Sequence, residues 1–555
     1  MTASAAQFTT RHREILELAL AAIRDRAFWT PYAELPKAYG REAGTDGKIT
    51  FDAYLGHPFP LAQPGTDSLV GGEKSPYGAD LGVTYPHPDL DVLLPAMEAA
   101  IPKWRDAGPT VRAGVCIEAL ARMNARTHEI AHAVHHTSGQ AFGMAFQAGG
   151  PHAQDRGLEA VAYAYAAQTA QVATAEWVKP QGPKPALAMT KKFTTVPRGI
   201  GLVIGCNTFP TWNSYPGLFA SLATGNAVVV KPHPNAVLPL AISVAIVRDV
   251  LSEAGFDPDL VALAVERPGE GLAKVLALRP EVRIIDYTGS TEFGVWLERN
   301  AVQARVFTEK AGINTIVLDS VEDYQGMLSN LAFSFSLYSG QMCTTPQNIY
   351  IPRSGITAGG EHTSFDDVAS DIAAAVDALL GDDNRANALL GAIANAGVVD
   401  RLKQAESVGT TVLASRTVAN AEYPAATVRS PHLAALDVAD ADVFTAEWFG
   451  PIGFLIATDS TEQSIEVFRT TVREHGAITA AVYSTDEDVI ARTEDAALDA
   501  GVNLSVNLTG GVYVNQSSAF SDFHATGANP AANSALSDLA YVADRFRVVQ
   551  SRRHV

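Results

Sequence analysis

The spacing of apolar positions changes along the chain, and each change marks an element. Over residues 10–28, Ile15, Leu16, Leu18, Leu20, Ala22 and Ile23 fall to one side at a helical period while Arg13, Glu14, Glu17 and Arg24 fall to the other, which predicts an amphipathic helix. From Phe28 to Pro88 no period is sustained; Gly, Pro and Asp interrupt it, and loops and short strands laid on the surface are expected. Two long helical stretches follow, near residues 89–107 and 110–136. From Trp177 to Pro197, three prolines (Pro180, Pro183, Pro185) and the alternation Lys192-Phe193-Thr194-Thr195-Val196 predict an edge hairpin projecting from the main body.

The pattern then becomes strand–helix–strand. The apolar run at 200–205 (IGLVIG) is short enough for a buried strand, a helix follows around 216–224, and Ala227-Val228-Val229-Val230 gives a second strand. A helix over 238–254 and a strand over 282–287 continue the series. Such alternation predicts an α/β chain with a parallel, doubly wound sheet of the dinucleotide-binding kind. It resumes after Glu309, so a second α/β domain is expected, and the text VADRFRVV at 542–549 predicts a final strand.

Composition narrows the function classes. The chain has 555 residues, 47% hydrophobic and 18% charged, which suits packed cores. Its 41 Lys and Arg against 60 Asp and Glu leave a formal charge of −19, a surface that repels nucleic-acid phosphates and anionic lipid. Neither nucleic acid nor membrane is therefore an expected partner. The three cysteines, Cys116, Cys206 and Cys343, are too few for a disulfide framework, and a reduced, cytoplasmic setting is expected. Apolar runs fall short of the ~18–20 residues of a membrane span, and the charged text after Phe8 does not read as a signal peptide.

Several motifs carry candidate chemistry. His128-Glu129-Ile130-Ala131-His132 has the spacing of a helical zinc site, but a third ligand is missing and His135 and His136 merely extend the polar side; a solvated helix face is expected, and no metal. Gly289-Ser290-Thr291-Glu292-Phe293-Gly294 follows a strand and opens a helix, where amide groups attract phosphate. Cys343 sits in Gly340-Gln341-Met342-Cys343-Thr344-Thr345. It has company: Glu309 in the text FTEKAG, Asn207 closing a buried strand, and Glu447-Trp448-Phe449-Gly450-Pro451 late in the second α/β region.

In this order, together with Thr224-Gly225-Asn226 and Lys231-Pro232, these elements resemble the aldehyde dehydrogenase superfamily from about residue 80 to the C-terminus. The phrases GCNTFPTWNSYPG (205–217), GQMCTTPQNIYIPR (340–353) and FSDFHATGANPAAN (520–533) look most like its phenylacetic-acid degradation dehydrogenases. The resemblance implies a Rossmann-type cofactor domain, a second α/β catalytic domain and a β oligomerisation element. Its division would be an extension over 1–80 packed on the cofactor domain, cofactor-domain parts at 81–177 and 197–309, an oligomerisation hairpin at 178–196, a catalytic domain at 310–511 and a C-terminal oligomerisation segment at 512–555. A homodimer or homotetramer is implied.

The implied reaction is NAD(P)-dependent oxidation of an aldehyde to an acid. Cys343 would be the nucleophile, passing through a thiohemiacetal and a thioester. Asn207 with the Cys343 backbone amide would hold the oxyanion, and Glu309, its pKa raised by burial, would activate water. Lys231 would reach the adenosine ribose; Gly269, Gly289 and Ser290 would line the pyrophosphate, with Phe293 nearby; Glu447 would hold the nicotinamide ribose and Phe449 would pack near its ring. Many NAD-preferring members carry a carboxylate where this chain has Pro234. Its absence, with Lys231 or His233 to attract a 2′-phosphate, implies NADP over NAD. Ala311 replaces the first of two usual glycines after the base, and Phe520-Ser521-Asp522-Phe523 replaces a common P-F-G-G phrase.

The implied substrate is a ring-cleavage semialdehyde of phenylacetate catabolism, possibly carried as a coenzyme A thioester. Two alternatives stand beside this reading: an acyl-transferring dehydrogenase that makes a coenzyme A thioester, and a catalytically silent scaffold member. Family members that hand the acyl group to coenzyme A commonly lack the glutamate at the Glu309 position.

Overall fold

Every residue of the strand Ile200–Ile204 is buried, because parallel neighbours flank it and helices cover both faces of its sheet. The computed structural model of the chain describes residues 3–310 and 312–555. Across this sheet the strands run Val261–Leu263, Ala227–Lys231, Ile200–Ile204, Val282–Gly289 and Arg305–Lys310, all paired in parallel. The chain moves outward one way from Ile200–Ile204 and then returns to build the other side. That reversal opens a crevice beyond the carboxyl ends of the strands, where Ile204 pairs with both Lys231 and Tyr287. The helix between the first two strands begins earlier than its apolar text suggests, at Pro210, and runs to Ala223.

A second sheet of seven strands lies downstream, ordered Thr410–Leu413, His432–Asp437, Ile452–Thr458, Asn348–Pro352, Thr315–Leu318, Thr479–Tyr483 and Asn503–Val506. Only its first pair is antiparallel. Separate apolar clusters fill its two faces. A third sheet joins the hairpin Thr174–Gln181 and Lys184–Pro197 to the C-terminal strand Phe546–His554. That last strand starts later than the text at 542 predicts, since Leu539–Ala543 is a helix capped by the Asp538 carboxylate. Between them Arg545, fully buried, donates to both Asp286 carboxylate oxygens at 2.8 and 2.5 Å and to Ser221 Oγ at 2.8 Å. The C-terminus is thereby clamped to the first sheet.

The N-terminal expectations need correction. The helix expected over 10–28 is two, Ala3–Arg11 and Arg13–Asp25, broken at His12, whose Nε2 lies 2.7 Å from Glu118. The stretch expected at 110–136 is also two helices, Gly108–Ala125 and Thr127–Ser138. Within the supposedly irregular 28–88 region, Ala43–Asp52 is helical. Its inner side is built from Gly47 and Phe51 rather than from a run of aliphatics, so no apolar period announces it. At Gly47 a Cβ would come within 2.6 Å of His128 Cβ, so only glycine admits this approach.

The helix that this segment covers carries the His128–His132 motif, and it is not a solvated face. Phe51 stacks on His136 and His132, Tyr77 stacks on His135, and Glu129 is paired with Arg126 and Tyr54. Burial pushes His132 and His135 down to about 4 and His136 to about 3, so all three are neutral packing groups. Among the described residues no helix is long and apolar enough to cross a membrane.

Glu73 ties the same N-terminal region to the cofactor-type sheet. One oxygen accepts from the backbone amides of Val237 and Leu238 at 2.6 and 3.0 Å, at the start of helix Leu238–Glu253, and the other accepts from the Tyr85 hydroxyl. With 1% of it exposed, burial pushes its carboxyl up to about 7 from an ordinary 4.5. The folded form therefore holds a proton that the unfolded chain releases between pH 4.5 and 7. Stability should fall by about 3 kcal/mol across that window and level off above it. Urea melts of wild type and Glu73→Gln against pH should show this difference. A difference that stays constant from pH 4.5 to 7 would refute the assignment.

Candidate active site

Three consecutive residues in the left-handed region, Tyr338 (φ 54°), Ser339 (φ 50°) and Gly340 (φ 62°), precede Cys343 and turn its loop sharply. Two of them carry side chains, and such strain persists only where surroundings enforce it. Here Ser339 Oγ donates to the Leu390 and Arg429 carbonyls, and the Tyr338 hydroxyl donates to the Ser138 backbone carbonyl. Gln341 is held by Ala392 and Ala394, and Asn314 Nδ2 donates to the Cys343 carbonyl at 2.8 Å. At Gly340 a Cβ would lie 2.3 Å from the Gly450 carbonyl oxygen, so the glycine of the G-Q-x-C phrase is sterically required.

Glu309 approaches from the end of the edge strand Arg305–Lys310. The segment 531–533 pins that strand end, through Lys310 N to the Ala531 carbonyl at 2.6 Å and Thr308 N to Asn533 Oδ1 at 2.8 Å. Lys310, the obvious partner for Glu309 in sequence, pairs instead with Glu298 at 2.8 Å. Glu309 faces Cys343 and His524, and the reactive atoms of the three lie within 4.8 Å of one another. His524 Nε2 stands 3.2 Å from Glu309 Oε1 and 3.7 Å from Cys343 Sγ. Sequence reasoning quoted the phrase containing His524 but missed its role, since it lies 181 residues from Cys343.

The electrostatics depart from expectation in one respect. Burial raises the Glu309 carboxyl, as foreseen, but His524 chiefly, with the Cys343 thiol and Asn213, outweighs burial and leaves it below its ordinary value. The same proximity acts in reverse on Cys343. Cys343 is half-buried on the cavity wall, and burial followed by the Glu309 charge raises the thiol well above its usual value. Glu309 Oε2 takes no hydrogen bond among the described residues.

Asn207 and Asn213 divide what the sequence assigned to one residue. Asn207 donates through Nδ2 to the Thr137 carbonyl at 3.0 Å and is not among the residues lining the cavity at Cys343. Asn213, one turn into the helix from Pro210, lines that cavity and donates to Glu309 Oε1 at 3.3 Å. The spacing of the Asn207 phrase is one residue long against the motif, and the text W-N at 212–213 was the signal that could have pointed to the second amide.

Cys343 lies between two spaces. One is a cavity of about 560 Å³ with an aromatic and mixed-charge wall that includes Phe28, Trp29, Glu34, Asp155, Arg156, Trp212 and Phe333. Phe28, Trp29 and Glu34 belong to the N-terminal extension, which therefore contributes a wall of the site. On its other side, a small cavity joins Cys343 to Glu447 and Phe449.

The remaining candidates lie along the first sheet's crevice. Lys231 ends its strand and pairs with Glu266 at 2.6 Å, and Glu266 also accepts from Leu272 N. Burial and the Lys231 charge push His233 down to about 4, leaving it neutral. Gly269 has φ +78° with open space where a Cβ would stand. Gly289 ends a strand, and Ser290 caps helix Thr291–Asn300, where Phe293 stacks on Trp296. A helix N-terminus, an open glycine turn and a lysine–carboxylate pair at strand ends fit a dinucleotide. Ala311 lies outside the described residues.

Comparison with known proteins agrees with this geometry. The model of the aldehyde dehydrogenase family matches residues 85–535. A benzaldehyde dehydrogenase [NAD(+)] of Pseudomonas putida is 29% identical over 285 residues, which is 49% of this chain and 53% of that protein. A 1-pyrroline-5-carboxylate dehydrogenase of Anoxybacillus flavithermus is 26% identical over 331 residues, 57% of this chain and 61% of that protein. The chain thus spans between half and two thirds of these curated relatives' length. The crystal structure of an NAD-dependent aldehyde dehydrogenase from Burkholderia multivorans superposes with a TM-score of 0.97 at 57% identity, covering 99% of both chains. A Thermus thermophilus 1-pyrroline-5-carboxylate dehydrogenase, at 20% identity and a TM-score of 0.76 over 95% of this chain and 99% of that one, shares the fold.

Arg156 holds the loop that brings His524 into the site. It donates to Ser517 Oγ at 3.0 Å, to the Asp522 carbonyl at 3.1 Å and to Glu159 at 2.8 Å, and its guanidinium lies over Trp212. Glu159 is fully buried. Arg156→Met should destabilise the fold by about 3 kcal/mol in urea unfolding, because a buried carboxylate loses its main partner. A change under about 1 kcal/mol would mean that Arg26, 3.5 Å away, suffices on its own.

Proposed function

The chain belongs to the aldehyde dehydrogenase family, and from that premise we propose that it oxidises an aldehyde to a carboxylic acid: RCHO + NAD(P)⁺ + H₂O → RCOOH + NAD(P)H + H⁺. The observation that carries the reading is the meeting of Cys343 and Glu309 between an aromatic cavity and a cofactor-type cleft. The Cys343 sulfur adds to the carbonyl carbon and forms a thiohemiacetal. Asn213, which lines the cavity, is better placed than Asn207 to donate to the oxyanion, with the Cys343 backbone amide as second donor. A bound nicotinamide dinucleotide supplies the hydride acceptor. Glu309 takes a proton from water that then cleaves the thioester, and its unpaired Oε2 is the atom available for this. Lys231 and Glu266 would hold the adenosine end, Gly269, Gly289 and Ser290 the pyrophosphate, and Glu447 and Phe449 the nicotinamide end.

For the cofactor, NAD is the better reading, although the sequence at Pro234 leans to NADP. Glu266 supplies, from the turn after the neighbouring strand, a carboxylate beside Lys231, and neutral His233 offers no charge to a 2′-phosphate. The printed names of the Burkholderia and Pseudomonas relatives agree. The substrate we infer is a ring-cleavage semialdehyde of phenylacetate catabolism, on the strength of the three phrases and an aromatic-walled cavity large enough for an extended aldehyde. Glu309 favours free acid over coenzyme A ester as product. We further infer a reduced, cytoplasmic setting for an enzyme whose three cysteines are free, and a homodimer or homotetramer built on the projecting hairpin sheet, whose long strands are largely exposed.

A panel of semialdehydes assayed with each nucleotide, with and without coenzyme A, tests the chemistry. Cys343→Ala should bind nucleotide but form no reduced cofactor. Glu309→Gln should slow acid release about a hundredfold. Turnover that strictly requires coenzyme A, or persists without Cys343, overturns the reading. NAD should be favoured over NADP by about tenfold in kcat/KM, and Glu266→Gln should narrow that gap. Light scattering should report two or four chains; a monomer removes the oligomer assignment.

A further inference from the structure

His524 lies in the 520–533 phrase and takes no step in the chemistry above, yet its ring is fixed beside the sulfur. It is 5% exposed, lies edge-on to Trp212 at 4.6 Å between ring centres, and places Nδ1 3.3 Å from Ser517 Oγ. Its Nε2 is left facing Cys343 Sγ at 3.7 Å and Glu309 Oε1 at 3.2 Å. We propose that His524 is the acceptor of the Cys343 thiol proton, so that the nucleophile is a thiolate–imidazolium pair held against the Glu309 carboxylate.

The proton balance closes inside the site. With the imidazole neutral and Nδ1–H donated to Ser517 Oγ, the bare Nε2 lone pair faces both the thiol and, at 3.2 Å, Glu309 Oε1. That second contact is unfavourable, and protonation of Nε2 turns it into the hydrogen bond that lowers the Glu309 carboxyl. The S–H bond breaks, an Nε2–H bond forms, and the new imidazolium donates that hydrogen to Glu309 Oε1. The three groups together carry one negative charge before and after, so no charge enters or leaves a buried space. Without such an acceptor the sulfur would have to ionise beside an existing carboxylate, the arrangement that raises its pKa. Charged and titratable groups around the pair are Glu309 from its strand end, Cys206 from the strand–helix turn and Arg156 from across Trp212, with Glu34, His152 and Asp155 further along the same cavity wall and Glu447 on the other side of Cys343. Arg156 alone among them is permanently cationic, and it is bonded to Glu159 and Ser517.

The inference rests on Cys343 being the nucleophile, and two readouts separate the two claims without substrate turnover. Thiolate absorbance near 240 nm, taken as wild type minus Cys343→Ser, should be present at pH 7 and persist toward pH 6. Iodoacetamide labelling of the Cys343 peptide, followed by mass spectrometry, should fall about a hundredfold at pH 7 in His524→Gln and recover only at high pH. Labelling that matches wild type in a folded His524→Gln protein, one that still binds nucleotide, overturns the role of His524 while leaving Cys343 as nucleophile. If that variant does not fold, the wild-type absorbance decides, and its absence at neutral pH overturns the proposal. Turnover that survives Cys343→Ala would remove the nucleophile assignment instead.

Discussion

Two groups that both work as anions share one buried space: a sulfur and a carboxylate whose reactive atoms lie within 4.8 Å. Each makes the other's ionisation harder, and desolvation makes both harder still. Most of the local architecture bears on that conflict. Glu309 stays ionised because Asn213 and His524 reach it, and its Oε2 is left as an unused acceptor. Cys343 is brought up to it by a strained loop that four side chains hold in place. A histidine between them is the group that lets both charges coexist.

That arrangement draws on parts of the chain far apart in sequence, which explains why the molecule is stitched together by buried polar contacts as well as apolar ones. The edge strand carrying Glu309 is fixed by 531–533, the His524 loop by Arg156, and the C-terminal strand by Arg545 on Asp286. Each contact is made by a charged or amide side chain, and the two arginines sit in a dry interior with few alternatives, so these fix position more than they add net stability. The N-terminal extension participates as well. Glu73 reaches the start of a sheet helix, and Trp29 meets Phe520 edge-on at the wall of the cavity.

The sequence was readable where burial is continuous. Ile200–Ile204, Ala227–Lys231 and Val282–Gly289 are apolar runs bounded by turns, so these strands and the parallel sheet class follow from text alone. The loop Gly340–Cys343 and Glu309 were legible because their chemistry is carried by short contiguous phrases. Residues 28–88 were not: the helix Ala43–Asp52 hides its inner face in a glycine and a single phenylalanine, and its partner hides in histidines that look polar on paper but stack on rings. His524 was also invisible, for a different reason. Its meaning comes from tertiary approach, and neither spacing nor residue type distinguishes it from an ordinary loop residue, whereas Asn213 was announced only by the short W-N text at 212–213.

Glu266 shows the same limit at the other end of the crevice. A missing carboxylate at Pro234 is a local fact, and taken alone it removes repulsion toward a 2′-phosphate. The charge at a site is a property of the space, however, and Glu266, in the turn after the neighbouring strand Val261–Leu263, brings a carboxylate 2.6 Å from Lys231. It also accepts from Leu272 N, which fixes it in place. A carboxylate beside Lys231 adds negative charge at this end of the crevice that the residue at 234 does not report, which is the basis of the NAD reading proposed above. Selectivity inferred from a single aligned position is therefore incomplete wherever the fold can deliver a charge by another route.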